Sequence, residues 1–211
     1  KNGVRVLENQ CYKGDLRIKG ERIDEISSSL SPYYDEEVID AKGNLVMPGV
    51  VDLHTHGSGG YDFMDGDEEC VTKASQSLLM TGTTTCLPTS LTSSDDDLFL
   101  FFDNIRKAQK EKKGARIPGV HLEGPYFSDS MKGAQDPRYI ITPTPDHYKN
   151  VMEKGEGLIK RWTIAPEVEG AMECIKYLKK EGVIISGGHT DSDYDTISMA
   201  YDNGMSMLTH F

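Results

Sequence analysis

The residues with the clearest chemical potential are histidines, and they are not scattered. His54 and His56 stand in Asp52-Leu53-His54-Thr55-His56-Gly57, at the end of an apolar run. On a strand, positions two apart project to the same side, so both imidazoles can reach one ion. The alternative is a hydrogen-bonded pair at a strand end. Glu123 stands in His121-Leu122-Glu123-Gly124-Pro125 after another apolar run, where a carboxylate must be paired, solvated or bound to a cation. The alternative there is a loop-capping role. His121 shares the parity of Glu123 and reads as core or as support for it. His189 follows Ser186-Gly187-Gly188, and His210 lies in Leu208-Thr209-His210-Phe211, again at strand ends. Four imidazoles and one carboxylate suit one or two borderline divalent ions, zinc, iron, manganese or cobalt, whereas calcium and magnesium want more oxygens. Such an ion polarises a carbonyl and lowers the pKa of water towards neutrality, which is hydrolytic chemistry.

The elements that must carry these residues change character along the chain. To about Met47 the pattern is all-β, with Val4–Leu7, Leu16–Lys19 and Ile23–Ile26 as short strand-like segments broken by Gly14, Gly20 and a serine run. From Leu45 a strand, loop, helix, glycine cycle begins. Leu45–Leu53 is nearly continuous apolar sequence, as in a parallel strand buried on both faces. Further strands are expected at Thr83–Leu87, Ile117–Leu122, Arg161–Ala165, Val183–Ser186 and Met205–Thr209. Helices between them open at Asp67 and at Ser94-Asp95, and glycines 82, 114, 182 and 204 end the helices. Repeated βα units imply a parallel sheet, doubly wound or closed as a barrel. No glycine-rich nucleotide fingerprint follows the first strand, while ligand-grade residues recur at strand ends, which is the pattern of a barrel's active face. Trp162 and the methionines read as packing, Lys110–Lys113 as a solvated helix end, Glu167 as a helix cap, and His147 as part of a loop or helix start.

Composition narrows the partners. With 23 Lys+Arg against 34 Asp+Glu the net charge is −11, which argues against a nucleic acid or an anionic membrane as partner. A hydrophobic fraction of 37% and a mean hydropathy of −0.48 describe an ordinary globular chain. No long apolar run and no signal-like N-terminus are visible, so a cytoplasmic location is expected. Cys11, Cys70, Cys86 and Cys174 are too dispersed for a disulfide framework or a zinc ribbon.

Taken together, Pro48–Gly57, His121–Pro125, Lys132-Gly133-Ala134-Gln135, Thr163-Ile164-Ala165-Pro166-Glu167, Gly188-His189-Thr190 and Thr209-His210-Phe211 resemble the N-acetylglucosamine-6-phosphate deacetylases of the amidohydrolase superfamily. The resemblance implies an α/β fold, a (β/α)8 TIM-barrel-like metal-dependent hydrolase, here truncated after about six strands. Residues 1–47 would be the N-terminal part of a small β-sandwich and residues 48–211 the first six βα units. It implies hydrolysis of the acetamide of N-acetylglucosamine 6-phosphate to glucosamine 6-phosphate and acetate, and usually a homodimer. Carried over, Glu123, His189 and His210 match the ligands of the principal metal. His54 and His56 match those of a second ion bridged by Glu123. Ala134 and Gln135 match the loop that contacts the sugar, although relatives often carry His where Gln135 stands. Unlike dihydroorotases and hydantoinases, the chain has no inward lysine expected on its fourth strand. With six strands of eight, the aspartate that handles the proton is expected beyond Phe211, and the isolated chain is expected to associate or aggregate through open sheet edges.

Overall fold

The structure, a computed structural model, describes residues 1–210; Phe211, the last residue of the Thr209-His210-Phe211 motif, lies outside the described residues. The chain divides into two compact units, Lys1–Gly49 and Val50–Phe211.

The first unit is a four-stranded sheet of β1 (Gly3–Val6), β2 (Cys11–Lys19), β3 (Arg22–Ser27) and β4 (Leu45–Val46), in the order β3-β2-β1-β4. The β1–β2 and β2–β3 pairs are antiparallel, and β4 runs parallel to β1. The carboxylate of Asp15, 4% exposed, accepts hydrogen bonds from the backbone N–H of Asn2 and Leu30 at 2.8 and 2.9 Å. Those two bonds hold its pKa below the usual carboxylate range.

In the second unit, β5 (Val50–Thr55) is followed by a short hairpin, β6 (Gly57–Ser58) and β7 (Tyr61–Asp62), and by α1 (Glu68–Met80). Then come β8 (Thr83–Ser90), α2 (Asp95–Glu111), β9 (Val120–Glu123), α3 (Pro145–Gly155), β10 (Ile159–Ile164), α4 (Ala171–Lys180), β11 (Ile184–Gly187), α5 (Tyr194–Asn203) and β12 (Met205–Leu208). The strands β5 and β8 to β12 form one parallel sheet in the order β12-β11-β10-β9-β8-β5. Flat, such a sheet would hold its outer strands about 24 Å apart, five gaps of about 4.8 Å. Instead the rings of His54 on β5 and His210 just after β12 have centroids 5.4 Å apart. The sheet is therefore curled into a half-barrel.

The expected caps act as the sequence suggests: Asp67 and Ser94 each accept a hydrogen bond from a first-turn backbone N–H of α1 and α2. Asp193 does the same for α5. Three expectations need correction. The apolar run Leu45–Leu53 is two strands in different sheets, because Pro48 and Gly49 interrupt it. Its second half, β5, is not buried on both faces: Val50 and Val51 are 50% and 57% exposed, since β5 lies at an edge of the sheet. Gly114 does not end α2, which closes at Lys112 in the left-handed conformation, φ 53°. A Cβ at Gly114 would instead come within 2.6 Å of the Ser75 carbonyl carbon, so glycine permits close passage over α1.

The core between sheet and helices is built on Trp162, Tyr126, Phe63, Phe101, Phe102 and Ile105. Trp162 lies nearly parallel to Tyr126, centroids 5.5 Å apart, and its Nε1 donates to the Gly124 carbonyl at 2.8 Å. The largest core residue is thus tied directly to the turn after Glu123. Replacing Trp162 with Ala is expected to cost about 3–5 kcal/mol in urea unfolding; a midpoint unchanged from the parent would contradict this role.

Candidate metal centre

Each strand end delivers one part of the cluster. Glu123 closes β9 and is 2% exposed. His54 sits near the end of β5 and His56 just after it, so the two rings reach the same side of the strand, with their Nε2 atoms 3.3 Å apart. His189 follows β11 and His210 follows β12. All four Nε2 atoms converge on the carboxylate: His210, His189 and His54 lie 2.7, 3.3 and 3.4 Å from Oε1, and His56 lies 3.1 Å from Oε2. Two triads result, His54/His56/Glu123 and Glu123/His189/His210, and they share Glu123.

The orientation of the rings tests whether an ion suits the place. His56 Nδ1 lies 3.2 Å from the Thr89 carbonyl and His189 Nδ1 lies 3.0 Å from the Met131 carbonyl. A carbonyl only accepts, so both Nδ1 atoms carry protons. In the neutral rings the Nε2 lone pairs then face carboxylate oxygens, acceptor against acceptor. Only a proton or a metal cation between them satisfies that geometry. Burial alone would raise the pKa of Glu123, but hydrogen bonds from His189, His54 and His56 outweigh it and hold the carboxylate ionised. The Glu123 hydrogen bond raises the pKa of His56; at His189 burial is the largest single influence and lowers it, but hydrogen bonds to Glu123 and the Met131 carbonyl together with the Glu123 charge bring it above the ordinary value. His189 and His210 also hold left-handed backbone, φ 50° and 30°, uncommon for non-glycine residues and frequent where a site dictates the chain path.

Gln135 is buried with both ends of its amide engaged. Nε2 donates to Glu123 Oε2 at 3.0 Å, and Oε1 accepts from the backbone N–H of Thr92 at 2.8 Å. Ala134 beside it is exposed. His121 is fully buried between Thr89 and Thr163, 4.9 Å by centroid from the His54 ring, and burial followed by the Arg161 charge pushes its pKa down to about 2. It belongs to the core and supports the cluster. His147 opens α3 and lies between the Tyr126 hydroxyl and Asp95, away from the cluster.

Two residues carry roles that the sequence alone did not reveal. Glu167 is not a helix cap: α4 starts at Gly170 with no side-chain cap. Its carboxylate instead accepts from the backbone N–H of Asp191 at 2.7 Å and from the hydroxyls of Thr190 and Ser192 at 2.5 Å, clamping the loop that carries His189. Arg161, 4% exposed, points into the half-barrel beside Ser186 and Thr209. Its strand parity with Thr163 was the available signal. The neighbouring Lys160 is exposed, so β10 presents an inward guanidinium and no inward amine.

Comparison with known proteins agrees with this geometry. Residues 45–208 match the Amidohydrolase family. The N-acetylglucosamine-6-phosphate deacetylase of Bacillus subtilis (strain 168) is 35% identical over 211 residues, covering 97% of this chain and 53% of that protein. A crystal structure of N-acetyl-D-glucosamine-6-phosphate deacetylase from Mycobacterium smegmatis superposes with a TM-score of 0.83 at 29% identity, covering 99% of this chain and 58% of that one. A mutant of the M. smegmatis deacetylase, in complex with N-acetyl-D-glucosamine-6-phosphate, gives 0.82 at 28% identity, over 99% and 54% of the two chains. The chain spans about half the length of the curated relatives it matches. With a matched segment that runs through nearly all of the half-barrel, the chain belongs to the amidohydrolase family.

Proposed function

We propose that this chain carries the metal-binding half of an enzyme that removes the acetyl group from N-acetylglucosamine 6-phosphate, giving glucosamine 6-phosphate and acetate. The observation that carries the reading is the buried Glu123 carboxylate faced by four imidazole Nε2 atoms. The substrate class comes from the relatives, named as deacetylases of that sugar phosphate. Glu123, His189 and His210 would hold the principal ion; His54 and His56 would hold a second, with Glu123 shared between them. Zinc or iron suits this imidazole-rich set best, with manganese or cobalt as further candidates. An ion held there supplies two things, polarisation of the amide carbonyl and a water acidic enough to attack it near neutral pH.

The remaining work falls to the protein. Gln135 orients the Glu123 carboxylate, and Glu167 fixes the His189 loop. Exposed Ala134 would form the rim at which the sugar is met, with Gln135 buried behind it. The amine leaves only if it is protonated, which requires a general acid, a role that the family resemblance gives to an aspartate outside the cluster described above. A chain of net charge −11 offers a phosphate no long-range attraction, so its contacts must be local. Residues 1–47 would supply part of a small β-sandwich, and the whole enzyme would act as a homodimer in the cytoplasm, where a charged sugar phosphate is retained because it crosses lipid poorly. A hydantoinase-like reading is disfavoured by Arg161 and exposed Lys160, since β10 offers no inward lysine for carboxylation.

Acetate release tests the reading. The zinc- or iron-loaded whole enzyme should release acetate from N-acetylglucosamine 6-phosphate far faster than from unphosphorylated N-acetylglucosamine, and a His189→Ala variant of it should not. Equal turnover of the two sugars, or turnover of a hydantoin, would sink it. The shared carboxylate predicts a metal stoichiometry: Glu123→Gln should lose all bound zinc after dialysis, as measured by atomic emission, while His56→Ala should keep the ion of the His189/His210 triad. Zinc retained by Glu123→Gln at the parent level would place the ions elsewhere. Glu167→Ala should speed hydrogen exchange at the Asp191 amide while leaving that of α1 unchanged; unaltered exchange at Asp191 would remove the clamp.

A further inference from the structure

Beneath the Glu123 cluster a second polar layer crosses the half-barrel, touching every strand of the sheet or its end. Arg161 Nη2 lies 2.9 Å from Ser186 Oγ and 2.8 Å from Thr209 Oγ1, and Nη1 lies 3.2 Å from the Leu53 carbonyl. Thr209 Oγ1 lies 2.7 Å from Ser186 Oγ and 2.7 Å from Thr163 Oγ1. Thr163 Oγ1 is 2.7 Å from His121 Nε2, and His121 Nδ1 is 3.3 Å from Thr89 Oγ1. Thr89 Oγ1 in turn lies 3.1 Å from the Leu87 carbonyl and accepts from the Thr55 N–H at 3.1 Å. Thr89, His121, Thr163, Ser186 and Thr209 are all buried.

Proton counting gives this layer a direction. A guanidinium only donates, so Arg161 occupies a lone pair on both Ser186 and Thr209. The hydroxyls of Ser186, Thr209 and Thr163 carry one proton each, and two contacts join them. All three protons find acceptors only if the third goes to His121 Nε2. The chain then runs Ser186 to Thr209 to Thr163 to His121 Nε2, and onward from His121 Nδ1–H to Thr89 and from Thr89 to the Leu87 carbonyl. With the imidazole proton on Nε2 instead, one buried hydroxyl proton has no acceptor among the described residues.

We propose that Arg161 is a positioning residue of the metal centre: it starts a one-way hydrogen-bond chain that fixes His121 as its Nδ1–H tautomer and, through His121 and the Leu53 carbonyl, steadies His54. The contact of the His121 ring with His54, centroids 4.9 Å apart and planes at 75°, is where the layer meets the cluster. The part of the proposal that concerns ion affinity rests on the metal-centre reading; the tautomer does not.

Long-range 15N–1H correlation of the metal-free chain reads the tautomer directly, and zinc titration against a chromophoric chelator reads the affinity. Unsubstituted protein should show a protonated Nδ1 and an unprotonated Nε2 at His121. Thr163→Val removes the donor to Nε2 at nearly constant shape, and Arg161→Met removes the head of the chain. Both should convert His121 to a mixture of tautomers and weaken zinc binding about 10–100-fold. A proton on Nε2 in the parent chain, or an unchanged Nδ1–H form in Thr163→Val, would overturn the proposal, whether or not Arg161→Met folds. Zinc affinity unchanged in Thr163→Val despite a mixed tautomer would overturn the positioning role. A chain with the expected tautomer that binds no zinc would refute the metal-centre reading and keep the hydrogen-bond chain.

Discussion

Everything in the half-barrel is arranged around one buried negative charge. Removing a carboxylate from water costs several kcal/mol even after a protein relaxes around it, and Glu123 is 2% exposed. That cost is offset only if positive charge reaches both oxygens. The nearest nitrogens come from β5, from the loops after β11 and β12, and from Gln135, elements far apart in sequence. A flat sheet could not bring them together. The curl that makes β5 and β12 neighbours across the interior is therefore a condition for burying Glu123, and the left-handed backbone at His189 and His210 is a local consequence of the same requirement.

The second layer explains how the curl is kept specific. Arg161 lies mid-sheet on β10, donates to the Leu53 carbonyl of β5 at 3.2 Å and, through its other terminal nitrogen, to Ser186 on β11 and Thr209 just after β12 at 2.9 and 2.8 Å. A single planar fork of donors thus spans the opening of the arc. A lysine, a point charge with three rotatable donors, could not hold so many fixed acceptors at once. The guanidinium meets only neutral acceptors, and its Nε has no hydrogen-bond partner among the described residues. Burial accordingly lowers its pKa, yet an arginine so lowered is still a cation.

The sequence displayed the members of the cluster far better than their supports. His54, His56, Glu123, His189 and His210 were legible because histidines at strand ends are improbable by chance and strand parity is a simple rule. The βα cycle was legible through its caps and glycines. The short β6–β7 hairpin was not, since four residues carry no period. Nor was β5 as an edge strand: an apolar run shows that a strand is hydrophobic but not which neighbours cover it. Glu167 was misread because a carboxylate after a proline before a helix is a common cap, and the hydroxyls it really meets lie 23 to 25 residues away. Arg161 was missed for a related reason, that an arginine in a strand ordinarily snorkels outward and only the three-dimensional position of Ser186 and Thr209 turns it inward.

These supports separate two demands on the same strands. The upper layer, proposed to hold a cation, is acceptor-rich, and it gains that character in part from His56 and His189, whose Nδ1 protons are spent on backbone carbonyls. The layer below is held by its own hydroxyls, one imidazole and the Arg161 guanidinium, whose Nε is left without a partner among the described residues. One proton too few or too many there would leave a buried hydroxyl or imidazole nitrogen unpaired directly beneath the ligands. Placing a residue that can only donate at one end and a carbonyl that can only accept at the other removes that ambiguity. The half-barrel thus needs Arg161 and the Leu87 carbonyl as ends of one chain for the same reason that it needs Glu123 and four imidazoles as one cluster: a buried hydroxyl proton needs an acceptor, and a buried carboxylate needs a donor or a cation.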